Sequence, residues 1–237
     1  MKKMKWAVLF AALVSAFGFS SCLDSEEGES YDLFDYVTVT DGFMGSTALK
    51  GDNSGMTFTP VSSDVLASLQ MKDGGYYKRA MVGIQLAEEY SPGKSNYQIS
   101  GIQVYNYLPY KTFTTQPDTI SGDFNFLDLG KGNEKPWVRT GFVNVVFSVN
   151  LVNSSTLNDF NMHITEVSND TLYAKLQYSK DNTSINNPLK DLFSFELPDY
   201  IPNSGQLSDS IVLTVVAQCN DEVKKVSTDK FHRKELY

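Results

Sequence analysis

Residues 142–152 read Phe-Val-Asn-Val-Val-Phe-Ser-Val-Asn-Leu-Val, and this stretch decides the fold class. Val143, Val145, Phe147, Val149 and Leu151 share one parity, while Asn144, Ser148 and Asn150 fall on the other. A side-chain period of two marks a half-buried β-strand. The same alternation recurs in 171–178, where Leu172, Ala174, Leu176 and Tyr178 form the apolar face.

Outward from these two runs, 36–40, 56–58, 80–88, 97–108, 160–167, 192–197 and 211–219 are also rich in β-branched and aromatic residues. Turn-forming clusters separate them, among them Asp-Asn-Ser-Gly at 52–55, Ser-Pro-Gly at 91–93 and Asn-Asp at 169–170. The chain is therefore expected to be all-β and antiparallel. One short amphipathic helical turn is expected over 62–70, N-capped by Ser63 or Asp64 and containing Val65, Leu66 and Leu69. Within 97–108 the apolar phase changes at Gly101, from Tyr97 and Ile99 to Ile102 and Val104, which is the signature of a β-bulge. Bent strands of this kind suit a small barrel, so residues 36–115 are expected to form an OB-like β-barrel. A break containing Pro109, Pro117 and Pro136 follows, with the domain junction placed near 112–122. Residues 116–237 are expected to form an antiparallel β-sandwich.

The N-terminus carries an address. Lys2, Lys3 and Lys5 precede a run from Trp6 to Phe19 that is apolar except for Ser15 and Gly18, too short for a permanent span and suited to a signal peptide covering 1–21. Phe19-Ser20-Ser21-Cys22 resembles a lipobox, with Cys22 as the lipidated first residue of the mature chain. An acidic tether is expected over 22–35, because Asp24, Glu26, Glu27, Glu29, Asp32 and Asp35 occur there with no cation. Losing Lys2, Lys3 and Lys5 leaves 17 basic against 28 acidic residues, a net charge of −11. Such a surface offers nothing to a phosphate backbone and excludes nucleic acid as the main partner.

The element order also carries a resemblance. A lipobox and acidic tether precede Asn53-Ser54-Gly55-Met56-Thr57-Phe58-Thr59-Pro60, then the strands at 78–86 and 99–107. After the Pro-rich junction come Trp137, Gly141-Phe142-Val143-Asn144-Val145, the 170–178 strand and Phe193-Ser194-Phe195-Glu196-Leu197. This order resembles the NigD-like lipoproteins, with an N-terminal OB-like domain and a C-terminal β-sandwich. The resemblance implies an outer-membrane lipoprotein named for a bacteriocin gene cluster, and it transfers no catalytic residue.

The inventory for chemistry is thin. His163 alternates away from Phe160, Met162 and Ile164 and is expected on a polar surface; His232 lies in a charged tail. Cys219 continues the apolar parity of Ile211, Leu213, Val215 and Ala217, which makes it a core residue and not a nucleophile. Ser91-Pro92-Gly93-Lys94 has the S-x-x-K spacing, but Pro-Gly makes it a turn instead of one helical turn. Asp52–Gly55 and Asp181–Ser184 lack the spaced ligands of a calcium loop. No cofactor and no metal site is expected. Tyr76, Tyr77, Tyr105, Tyr107 and Tyr110 gather near the end of the first domain and are the candidate ligand-contact aromatics, with ordinary sheet packing as the competing explanation. Thr119, Thr171 and Ser210 each follow an Asp and precede Ile or Leu, a pattern resembling an O-glycosylation acceptor. These features point to a non-enzymatic, lipid-anchored binding module exposed on the outer membrane, with an adhesion-like or bacteriocin-related role and an envelope protein or glycan as partner. A carbohydrate-binding accessory role in glycan uptake is the alternative.

Overall fold

In the computed structural model, residues 30–41, 46–114, 123–201, 205 and 207–236 are described. The first five strands are β1 (Leu33–Asp41), β2 (Thr47–Gly51), β3 (Thr57–Pro60), β4 (Arg79–Leu86) and β5 (Asn96–Tyr107). They close into a barrel in the order β1-β2-β3-β5-β4, with β4 returning to β1 and only the β3–β5 pair parallel. Val37, Leu49, Phe58, Ala80, Val82, Ile84, Tyr97 and Ile99 fill its interior. A 3₁₀ helix, Ser63–Leu69, adds Leu66 and Leu69 to that core; Ser62 occupies its N-cap position without a side-chain cap bond, in place of the expected Ser63 or Asp64. The phase change at Gly101 is a true register shift, since Gln85 pairs with Gly101 and Leu86 with Ile99. A second shift lies between Met81 and Val82, where Tyr105 is the inserted residue.

The remaining strands are β6 (Tyr110–Thr112), β7 (Phe126–Leu129), β8 (Trp137–Arg139), β9 (Phe142–Asn150) and β10 (Phe160–Ser168), followed by β11 (Thr171–Tyr178), β12 (Pro188–Glu196), β13 (Ser210–Cys219), β14 (Glu222–Ser227) and β15 (Phe231–His232). They form one curled sheet in the order β10-β11-β13-β7-β9-β12-β6, with β14 and β15 on β13 and β8 on β9. Its core is rich in aromatics: Phe126, Phe147, Phe160, Tyr178 and Phe193 pack ring against ring. Pairings β11–β13, β13–β7 and β12–β6 are parallel, so this all-β fold is not antiparallel throughout.

Two expected boundaries move. β1 begins at Leu33, which takes Asp32 and Asp35 out of the tether and into the barrel. Asp35 is buried because the backbone N–H groups of Asn53 and Ser54 donate to its carboxylate, at 2.9 and 3.0 Å. Asp32 Oδ2 accepts from the Leu86 N–H at 2.7 Å. At the other end, β6 already pairs with β12 and Phe113 sits in the sheet core, so the barrel stops at Tyr107 and not at residue 115. Residues 31–237 form one compact unit in which barrel and sheet share a buried seam.

Candidate functional site

Arg79 opens β4 on the barrel's outer face, and its whole side chain is shut off from water. Its Nη1 and Nη2 donate to the two carboxylate oxygens of Asp52 at 2.9 and 2.7 Å, the bidentate geometry that suits a guanidinium. Nη1 also donates to Thr38 Oγ1 at 2.5 Å, and Nη2 to Asn144 Oδ1 at 2.7 Å. Asn144 belongs to β9 of the sheet, so the guanidinium bridges the two lobes. From the sheet side, Trp137 Nε1 and Asn144 Nδ2 donate to Asp52 Oδ2 at 3.1 and 3.3 Å. Ser194 Oγ donates to Asn144 Oδ1 at 2.7 Å. Arg79 lies 4.9 Å from the centre of the Phe142 ring, and Tyr36 packs on Trp137 at 6.1 Å. A buried charge needs a partner and filled hydrogen bonds; the network supplies the partner and fills both Nη groups, while the buried Arg79 Nε has no hydrogen-bond partner.

Asp52 opens the turn that the sequence marks at 52–55, directly after β2, and nothing local marks it as a buried ion. Its ligands come from residues 27, 85 and 92 positions away, which is why periodicity could not find it. Burial and the neighbouring Asp191, Asp52 and Asp35 push the Tyr36 phenol above its usual range. Burial likewise lifts the Asp35 carboxyl, against the pull of its hydrogen bonds from Ser54 and Asn53.

Above this lock the seam is aromatic and exposed. Lys78 pairs with Glu196 across it and lies over the rings of Tyr110 and Phe142, at 5.9 and 5.5 Å from their centres. Tyr77 and Tyr107 stack at 4.0 Å and 30°, and the Tyr107 hydroxyl donates to Ser68 O at 2.7 Å. Tyr77, Tyr107 and Tyr110 are all exposed, Tyr110 beside the ion pair and the Tyr77–Tyr107 stack beside the 3₁₀ helix. Tyr76 is half-buried beside the 3₁₀ helix, packed on the barrel core. Tyr105 goes elsewhere. Tyr107 pairs with Ala80 of the core, whereas the inserted Tyr105 turns to the outer wall and meets Phe34 at 5.5 Å. The five tyrosines thus divide into the Tyr77–Tyr107 stack, Tyr110 beside the Lys78–Glu196 pair, one packing residue and one member of a separate patch.

The remaining candidates fall into place individually. His163 is a correction: it is 5% exposed, with no hydrogen-bond partner on Nδ1. Burial, and then the Lys175 ammonium, hold its imidazole below the ordinary range. β10 is buried on both faces over its first four residues, which strand alternation alone cannot reveal. Cys219 is fully buried, and burial pushes its thiol up to about 11. Lys94 N donates to Ser91 O at 3.2 Å in a turn with Gly93 at φ 86°, and Lys94 pairs with Glu88. Asp181 Oδ1 accepts from the N–H and hydroxyl of Thr183, closing its own turn. Thr171 donates to Asp170 at a hairpin, and Ser210 is exposed at the start of β13. Cys22 and Thr119 lie outside the described residues. Among the described residues, no group of three or more His, Cys, Asp or Glu side chains could hold a metal ion.

The geometry defines a class: a two-lobe all-β protein with a closed five-stranded barrel whose buried ion pair is hydrogen-bonded to a curled sheet. No protein-family model matches the sequence, and no curated protein does. Solved structures match nearly its full length. One, from Parabacteroides distasonis and described as toxin-related, has 15% identity and a TM-score of 0.56 over 86% of this chain and 94% of its own. An uncharacterized protein from Parabacteroides merdae has 10% identity and a TM-score of 0.52 over 85% and 99%. The structural neighbours also include a NigD-like immunity protein from Bacteroides caccae, at 16% identity and a TM-score of 0.42 over 84% and 96%. At these identities the likeness is one of fold.

Proposed function

We propose that this chain is a lipid-anchored, non-catalytic binding module of the outer membrane, exposed at the cell surface, that holds an envelope partner at the seam between its lobes. The observation that carries the reading is the set of exposed tyrosines flanking the seam in the chain, the stacked Tyr77–Tyr107 pair and Tyr110 beside the Lys78–Glu196 ion pair. Exposed tyrosines held by rigid strands offer large contact area at low entropic cost on binding. The toxin-related description of the Parabacteroides distasonis neighbour makes a bacteriocin-like protein one partner to test. Carbohydrate binding is the second reading, favoured by the exposure of these rings.

The test immobilises the soluble 23–237 fragment and passes envelope extracts over it, beside a Tyr77→Ala/Tyr107→Ala variant and a glycan array. Capture of a discrete protein by the parent and its loss in the variant is the expected result. Specific array signal lost in the same variant moves the assignment to the glycan reading. Equal capture by parent and variant, with a blank array, overturns the seam as the binding site.

A further inference from the structure

The outer wall of the barrel carries a second aromatic patch, distinct from the seam. Phe34 meets Tyr31 at 6.2 Å and Tyr105 at 5.5 Å, and these two flanking rings cover Gly83. A Cβ at Gly83 would stand 2.9 Å from Tyr31 and 3.1 Å from Tyr105, so the glycine is what lets the rings lie down on the strand. Phe34 and Tyr105 remain 44% and 49% exposed.

Two further observations say what covers them. The first is charge. Beyond Arg79 the outward positions of β4 are Met81, Gly83 and Gln85, and those of β5 beside them are Gly101, Gln103 and Tyr105. This strip bears no charge, in a chain where 20% of residues are charged. Asp32 stands at its rim, with its carboxylate engaged by the Leu86 N–H. The second is chain length. Only eight residues, 23–30, separate Cys22 from Tyr31, and even fully extended they reach about 30 Å. An anchored chain therefore keeps this patch within one bilayer thickness of the lipid surface.

We infer that Tyr31, Phe34 and Tyr105 form a membrane-contact patch that rests the barrel wall on the lipid headgroups. Aromatic rings with polar edges partition to that level of a bilayer. Three rings are too few to bind by themselves and act only once the tether has made the encounter intramolecular. The inference rests on the lipid anchor in the proposed function, and the test supplies that anchor chemically so that the two can fail separately.

A 22–237 fragment is coupled through Cys22 to maleimide lipid in phosphatidylcholine–phosphatidylethanolamine vesicles carrying brominated acyl chains. Phe34→Trp and, on the far sheet, the exposed Val223→Trp serve as probes, each compared with the parent, whose only tryptophan is Trp137. The position-34 emission is expected to fall about twofold on tethering, as for a ring at the headgroup level, while position 223 and the uncoupled fragments do not change. Equal quenching at 34 and 223, or none at 34, overturns the inference. Circular dichroism of each variant confirms that the fold is intact.

Discussion

Asp52→Ala is the sharpest perturbation of the seam. It leaves the Arg79 guanidinium fully buried, with Thr38 and Asn144 as its only acceptors, and strips Trp137 Nε1 of its acceptor. Removing one partner of a buried pair costs about 3–5 kcal/mol, because the other charge stays desolvated and uncompensated. A folded chain holds only about 5–15 kcal/mol in all, so the variant gives up a large share of it. With a urea dependence of roughly 2–3 kcal/mol per M, a loss of about 4 kcal/mol lowers the midpoint by about 1.5 M. The assay is urea unfolding of the 23–237 fragment, followed by circular dichroism and by Trp137 emission, which reports the seam itself. Asp52→Leu combined with Arg79→Met removes both charges and is expected to recover stability relative to Asp52→Ala. A shift in Asp52→Ala of under about 0.3 M would refute the claim that the network around this pair holds the seam together.

His163 sets a pH dependence. Its folded pKa lies below the unfolded value near 6.5, so the unfolded chain binds the extra proton and stability falls as pH drops below that value. Lys175 and Asp123 are the charged groups facing it, and His163→Leu is expected to flatten the melting temperature between about pH 5 and 7. Gly130→Ala places a Cβ 2.3 Å from Glu134 O and 3.0 Å from Val146 O, two backbone atoms that cannot step aside. A cost of about 1–3 kcal/mol and a melting temperature lower by roughly 4–8 °C are expected by calorimetry. Cys22→Ser is expected to move the chain out of the membrane fraction, with intact mass losing the lipid increment.

The sequence discloses what is local. Alternation in 142–152 and 171–178 locates β9 and β11 and the apolar face of each, though β9 is buried on its other face too at Phe142 and Asn144 and ends at Asn150; the phase change at Gly101 marks a real bulge. Cys219 follows from the same parity argument. What stayed hidden depends on partners distant in the chain. Six carboxylates between residues 24 and 35, with no cation among them, suggested one continuous tether, yet Asp35 is accepted into the barrel because the 52–55 turn aims two amides at it. His163 looked exposed because alternation describes one strand, whereas its burial depends on what lies across the other face. Parallel pairings such as β11 with β13 join strands far apart in sequence and leave no local trace. Arg79 sits among apolar residues in 79–86 and could be suspected of burial, but its acceptors in the next lobe could not be named.

The tyrosine seam as a partner-holding surface is tested most directly in living cells. A photo-crosslinking phenylalanine derivative replaces Tyr107 in the full-length anchored chain, and the same residue at Val223 serves as the control, both positions being exposed. Illumination is expected to give a discrete covalent adduct from position 107, identifiable by mass spectrometry, and none from position 223. No adduct at 107, or the same adducts at both positions, would contradict the account.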